Sequence, residues 1–391
     1  MQEIRLHTSV LGGEEEALLL EVLESKKWSG NGTFTERCEM WLQEQYGGLR
    51  VLLTHSCTAA LEMSAMLLGI SEGDEVILPS FTHPSTANAF LLRGAKLVFV
   101  DVEPETLTLN YAEVERAITP RTKVIIPVHY AGMAGDLNVL LKLAQKHSIA
   151  VVEDAAQALH SFHRGKALGT IGTFGCLSFH DTKHIGCGEG GALIVNEQQY
   201  LERAENIREK GTNRFAFLRG EVSKYEWVDV GSSYIPSEFV AAVLLAQLHA
   251  TERFTKTCLS LWETYTEYCT PLAEAGHVQL PGIPGTCTHN AHLYYMLLEN
   301  PETRDALIEH LKKEKIQSAF HFVPLHSAPM GQLLGYGPDD FPVTQESAKR
   351  LLRLPCHPGM TQADAKRVAD TVSSFYAQKY VTKKSFVGIA P

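Results

Sequence analysis

The feature that most restricts how this chain folds is an alternation that begins at residue 51. Short, nearly continuous apolar runs are separated by helix-length segments: VLLT then LEMSAMLLGI, EVILP then STANAFLLR, KLVFVDV then YAEVERAI, KVIIPV then LNVLLKLAQKH, and finally IAVVEDA. A strand that is apolar at consecutive positions is buried on both faces, and helix-length spacers supply the covering layers. The expected class is therefore α/β, with a mostly parallel sheet between helices. CLSF and ALIV read as further strands, and a long periodic segment from about Glu238 to Tyr268 reads as helix. Beyond it, AHLYYMLLE reads as a strand, and TRDALIEHLKKEKI and AKRVADTVSSFYAQ carry a 3.6-residue period. These describe a smaller C-terminal α+β unit, so the expected domains are 1–250 and 251–391. The final VTKKSFVGIAP is expected to be a loosely held tail.

Length agrees with two domains: 391 residues at roughly 150 per domain. With 45% hydrophobic and 20% charged residues, a core large enough to need no disulfide or metal staple is expected. The net charge of −10, with its acidic residues spread along the chain, argues against a nucleic-acid or anionic-membrane surface. Any anionic ligand must then be held by local groups. MQEIRLHTSVLGGEEEALLL has no basic n-region or apolar core of a signal peptide, and no later run approaches about 18 apolar residues. A cytoplasmic location is expected, with eight cysteines, none in a CxxC pair, in reduced form.

The chemistry centres on CLSFHDTKHIGCGEGGALIVN, residues 176–196. Gly186, Gly188 and Gly191 satisfy GxGxxG, but that dinucleotide motif opens a helix, whereas these glycines lead into ALIVN, a strand pattern. His180 and His184 are four apart, yet the glycines oppose the helix that would align them, and no third ligand completes a metal spacing. A lone Lys183 is ordinarily a solvated loop lysine. Its company argues otherwise: Ser178 precedes it, and other polar residues stand at the C-terminal ends of strands, the edge where open α/β sheets bind ligands.

Three strand ends supply that company. Ser56, Cys57 and Thr58 follow a strand and open a helix, a pattern that fits either a phosphate cradle or ordinary capping. Glu153 and Asp154 close a buried strand, where a carboxylate caps the next segment or holds a protonated heteroaromatic nitrogen. His83 lies between a strand and a helix begun by Pro84, and is either structural or a stacking face for a flat ring. Phosphate cradle, ring-nitrogen acid, stacking face and amine nucleophile together are what pyridoxal phosphate requires.

The runs SCTAAL, EVILPSFTHPSTANAF, AKLVFVDVEPETL, PVHYAG, VVEDAAQA, SFHDTKHIGCGEGG and VPLH, in this order, resemble the nucleotide-sugar aminotransferases, the DegT family of fold-type I pyridoxal phosphate enzymes, over almost the whole chain. The resemblance implies an aspartate aminotransferase-like fold, a homodimer with the active site at the subunit interface, and ping-pong transfer from L-glutamate to a nucleotide sugar. It makes Lys183 the Schiff-base lysine and Asp154 the partner of the pyridinium nitrogen. Gln157 is placed at the ring oxygen, His83 at the stacking position, and Cys57, Thr58, Ala59 and Ser178 at the phosphate. His321 and His326 in AFHFVPLH are candidates for sugar or pyrophosphate contacts, or for structural roles in a domain joint.

Two positions depart from many relatives: His184 stands where asparagine follows the lysine, and Ser233 where asparagine reaches the phosphate across the dimer. Sugar dehydratases of the family carry histidine in place of the lysine, so Lys183 favours amino transfer. SFHDTK, REKGTNR, KYEWVDVGSSY and RLLRLP narrow the resemblance to members that aminate a dTDP-linked 4-keto-6-deoxy sugar. Another nucleotide-sugar aminotransferase and a non-catalytic binding protein of the same fold are the rival readings.

Overall fold

Burial on both faces of one sheet accounts for the run of apolar strands. A computed structural model describes residues 2–386, with side chains to residue 379. Seven strands form the main sheet: β1 Arg50–Thr54, β2 Glu75–Pro79, β3 Lys96–Val100, β4 Thr122–Ile125, β5 Ala150–Asp154, β6 Phe174–Ser178 and β7 Gly191–Val195. Their order is β1-β7-β6-β5-β4-β2-β3. All neighbouring pairs are parallel except those of β7, which runs antiparallel to both β1 and β6.

Side chains alternate across each strand, and both sets are buried. Val51, Leu53, Ile77 and Ile194 join one apolar cluster, and Leu52, Val76, Leu78 and Leu193 join the other. The first cluster is covered by helices Leu137–His147 and Glu238–His249, the second by Cys57–Leu67 and Pro84–Leu91. The segment expected as one long helix from Glu238 is two, with Ala250 between Glu238–His249 and Thr251–Glu274.

A second sheet, β8 Val278–Gln279, β9 Tyr294–Leu298 and β10 Leu351–Leu354, is antiparallel in the order β8-β9-β10. Helices Thr251–Glu274, Pro301–Lys313 and Gln362–Phe386 surround it. Along Thr251–Glu274 the core changes: Phe254 belongs to the main-sheet cluster, while Cys258, Leu261 and Tyr265 belong to the second unit's cluster. Ile4 also lies in that second cluster and bridges Ile316, so the first residues of the chain are built into the C-terminal unit, because their apolar side chain finds its cover there. The expected tail is helical through Phe386, since VTKKSF holds no glycine or proline to stop the helix; residues 387–391 lie outside the described residues. No helix among the described residues is long and apolar enough to cross a membrane.

Candidate active site

The C-terminal ends of β1, β2, β5 and β6 and the start of β7 lie on one edge of the main sheet, where Gly191 stands between Thr54 and Ser178 in register. Any side chain at 191 would collide with the neighbouring backbone: a Cβ would come within 2.3 Å of Ser56 C and 2.4 Å of Cys57 N. Glycine therefore lets β7 approach the opening of helix Cys57–Leu67. Ser56 caps that helix, its Oγ accepting from Ala59 N at 3.1 Å. Both readings of SCTAAL coexist: the serine is a cap, and the first turn still faces the cleft through Cys57 and Thr58.

Lys183 lies in the loop that joins the antiparallel neighbours β6 and β7. Phe179 N donates to Gly190 O at 2.8 Å, Asp181 N to Gly188 O at 2.9 Å, and Lys183 N to His180 O at 2.9 Å. Gly188, at φ 87°, occupies the left-handed region that this compact loop requires. The loop is thus an ordinary hairpin connection, but its lysine lines a cleft of about 540 Å³ shared with Asp154, Ser178, His83 and Gln157. Burial lowers the pKa of Lys183; Cys57 and Asp154 oppose the shift and Arg353 adds to it. A larger share of the lysine is then the neutral amine, the form that attacks a carbonyl.

Consecutive carboxylates at the end of β5 point to opposite faces and do different things. Glu153 is fully buried and holds the chain together: it pairs with His129 at 2.8 Å and accepts from Gly169 N, Ile171 N and Gly172 N at 2.7–2.9 Å. Burial pushes its pKa up, but His129 and these amides outweigh that and keep the carboxyl below the ordinary value. Asp154 faces the cleft. Its Oδ1 accepts from Ala156 N at 3.1 Å and its Oδ2 from Thr86 Oγ1 at 2.7 Å. Because Thr86 spends its hydrogen on Asp154, the 2.9 Å contact with Thr82 has Thr82 as donor. This two-threonine chain fixes the carboxylate and leaves lone pairs for a further donor.

His83 caps helix Pro84–Leu91, its Nδ1 accepting from Ser85 N at 3.2 Å, which leaves the proton on Nε2. Thr58 Oγ1 donates to Ser85 Oγ at 2.8 Å, and Ser85 Oγ lies 3.0 Å from His83 Nδ1, so the helix opening and the imidazole are tied together. Across the cleft, His321 Nδ1 lies 2.9 Å from Tyr130 Oη, and its ring stacks on Phe322 with centroids 3.6 Å apart. Burial pushes the pKa of His321 down to about 2, so it stays neutral.

Three expected residues lie elsewhere. Ala59 is buried one step behind the helix opening. Ser233 is exposed and outside this chain's cleft. His326 is fully buried, with Nδ1 2.6 Å from Ser80 Oγ and Nε2 3.2 Å from Pro338 O, so both ring nitrogens are occupied and the structural reading fits it. His180 and His184 belong to no group of metal-ligating side chains among the described residues. The cleft also contains residues that strand-end reasoning passed over: Thr82, Thr86, Phe322, His292 and Arg353. Arg353 had a visible signal, a single charge inside the apolar run LLRLP.

The set fits a phosphorylated aromatic aldehyde. A helix opening and Ser178 face one end, a fixed carboxylate and an amine of lowered basicity face the middle, and an imidazole borders the cavity. Comparison with known proteins agrees. The model of the DegT/DnrJ/EryC1/StrS aminotransferase family matches residues 10–373. An uncharacterised protein of Methanocaldococcus jannaschii, MJ1066, is 34% identical over 375 residues, 94% of this chain and 96% of that protein. The aminotransferase TlmJ from Streptoalloteichus hindustanus superposes with a TM-score of 0.88 at 29% identity, covering 96% of this chain and all of that one. DesV of S. venezuelae does so at 0.84 and 31%, covering 93% and 94%. The 3-amino-5-hydroxybenzoic acid synthase does so at 0.86 and 25%, covering 96% and all of that chain. The chain belongs to the DegT/DnrJ/EryC1/StrS aminotransferase family and is a pyridoxal phosphate-dependent aminotransferase.

Proposed function

We propose that this aminotransferase moves the amino group of L-glutamate to C4 of dTDP-4-keto-6-deoxy-D-glucose, giving dTDP-4-amino-4,6-dideoxy-D-galactose and 2-oxoglutarate. The reading rests on the residues that narrow the family resemblance, SFHDTK, REKGTNR, KYEWVDVGSSY and RLLRLP, and places the product on the route to enterobacterial common antigen. The observation that carries it is Lys183, partly buried and of lowered basicity, in one cleft with the fixed carboxylate of Asp154.

When bound, pyridoxal phosphate supplies the electron sink that lets a proton leave the carbon bearing nitrogen. Lys183 would hold the cofactor at rest, and its Nζ would take the proton from the donor's Cα in the first half-reaction and deliver one to C4 of the sugar in the second. Asp154, oriented by Thr86, holds the proton on the ring nitrogen. Cys57, Thr58 and Ser178 would hold the phosphate, Gln157 would meet the ring oxygen, and His83 would cover the ring face. His321, kept neutral by burial, would meet the sugar. The active unit is a homodimer in the cytoplasm, in which Ser233 reaches the partner's phosphate. Trp227, 79% exposed, and Val230, 60% exposed, precede that serine in the chain and would give a second copy apolar surface to cover.

The test is the visible spectrum of the purified holoenzyme on adding L-glutamate and then dTDP-4-keto-6-deoxyglucose. Bleaching by the first and recovery with the second is the expected result, and NMR of the product should show an axial C4 amine. An equatorial amine, or amination at C3, would reassign the enzyme to a neighbouring sugar specificity. No response to any keto sugar would refute the sugar substrate.

A further inference from the structure

Between β8 and β9 the chain of the second unit makes an excursion onto the main unit. Cys287 and Thr288 pair antiparallel with His163 and Phe162, and Arg164 N donates to Thr286 O at 2.8 Å. The excursion ends at Asn290, which is buried, and the chain turns back through Ala291 at φ 53° and through His292, a residue of the cleft, into β9. Both amide hydrogens of Asn290 and its oxygen are engaged. Nδ2 donates to Gln157 O at 3.0 Å and to Leu159 O at 2.8 Å, and Oδ1 accepts from His292 N at 2.9 Å. Two carbonyls that only accept and an amide that only donates determine which end of the side chain is which. Gly132 makes the room: a Cβ there would come within 2.2 Å of Asn290 Oδ1.

The loop that Asn290 grips carries Gln157 and belongs to no helix or strand. Among the described residues no other hydrogen bond reaches Gln157 O or Leu159 O, so the two carbonyls depend on this one side chain. The Gln157 side chain is held separately: its Oε1 accepts from Ala131 N at 2.7 Å. Its NH2 group is then what remains for the cleft that Gln157 lines.

We propose that Asn290 is a positioning residue for the cofactor: by tying the loop at 157–159 to the start of β9, it keeps the Gln157 NH2 aimed at the ring oxygen. This rests on the reading given above, in which Gln157 meets that oxygen. A donor there favours the ionised oxygen. Without Asn290 the two carbonyls lose their donors, the loop relaxes toward water, and the ring oxygen loses its partner although no residue that touches the cofactor has been changed. The cofactor then gives up its proton less readily, so the pH midpoint of its visible band moves upward.

The experiment titrates the visible band of the holoenzyme against pH and measures pyridoxal phosphate affinity by equilibrium dialysis, in wild type, Asn290→Ala, Asn290→Ser, Gln157→Ala and the double variant Gln157→Ala with Asn290→Ala. Neither readout needs turnover. Asn290→Ala should raise the midpoint by about one pH unit and weaken cofactor binding roughly 10-fold. Asn290→Ser, whose hydroxyl restores one donor, should fall between wild type and Asn290→Ala. In the Gln157→Ala background, Asn290→Ala should move the midpoint by no more than about 0.3 unit further, because its route to the ring is already gone. An unmoved midpoint in Asn290→Ala with a lower melting temperature overturns the proposal and leaves the asparagine a fold-stabilising residue. Shifts that add in full in the double variant also overturn it, because Asn290 would then act by another route. If Asn290→Ala does not fold, Asn290→Ser decides by the same comparison. Gln157→Ala with a midpoint like wild type would instead refute the placement of Gln157, so the two failures are distinguishable.

Discussion

Arg208, fully buried, and Arg353, partly buried, are treated differently in this molecule. Arg208 donates to Glu39, to Leu53 O at 3.2 Å and to Asn31 Oδ1 at 2.9 Å, leaving only its Nε unpartnered. Glu39 in turn accepts from Leu53 N at 3.0 Å and pairs with Arg50 at 3.3 Å. Charge there is answered by charge within the chain, and the network fixes helix Thr33–Tyr46 to β1. In the cleft the cation of Arg353 has no counter-charge, Asp154 keeps lone pairs open, and Lys183 is weakened as a base. A structural network satisfies itself, whereas a binding site keeps unsatisfied groups in fixed positions for a ligand.

The contrast breaks if a cleft substitution damages stability or a network substitution damages chemistry. The largest expected effect is that of Lys183→Ala. Turnover should fall at least about 10⁴-fold because nucleophile and proton carrier vanish together, while the urea midpoint stays near that of wild type. Substantial residual turnover would remove Lys183 from its role. Asp154→Asn should lower kcat about 10²- to 10³-fold with cofactor still retained on gel filtration; an unaltered kcat would contradict the assignment. On the other side of the comparison, Glu39→Ala strands a buried guanidinium and Leu53 N, and should cost about 3–5 kcal/mol in urea unfolding. Per-molecule turnover of the folded fraction should not change. A mild loss of stability would mean that water enters to replace the carboxylate.

The same distinction governs what was legible in the sequence. The apolar runs announced the main sheet because burial on both faces leaves no alternation to obscure, and Lys183 and Asp154 were legible because each ends or follows a strand in the same half of the chain. Arg353 and His292 come from the second unit, and only the stacking of the small antiparallel sheet on the joint brings them to the lysine. Local pattern carries no information about that approach. His326 shows the converse: its position in VPLH looked like a site, but Ser80, at the end of a strand some 250 residues earlier, takes its Nδ1 into a structural bond. The split between Glu153 and Asp154 was half legible. Strand alternation separates the two side chains, but which face meets the cleft depends on the loop at 169–172 that Glu153 holds.

The smallest effect concerns His184, the residue that follows the lysine. Its Nε2 lies 3.3 Å from Cys356 O, its Nδ1 is buried without a partner, and its ring lies 5.3 Å from that of His292. Burial pushes its pKa from 6.5 down to about 4, so the folded protein refuses a proton that the unfolded chain accepts. Between those two values the unfolded state binds more protons, and stability therefore falls as pH falls. One such group contributes a slope of at most about 1.4 kcal/mol per pH unit. His184→Asn cannot titrate and should flatten urea-derived stability against pH between 6.5 and 4 by up to that amount, leaving stability above pH 7 little changed. An unaltered slope would mean that His184 is solvated enough to be protonated in the folded state. In that case the interior behind Lys183 would be wetter than the buried His292 and His321 of the cleft imply, and the lowered basicity of the lysine would lose its main physical cause.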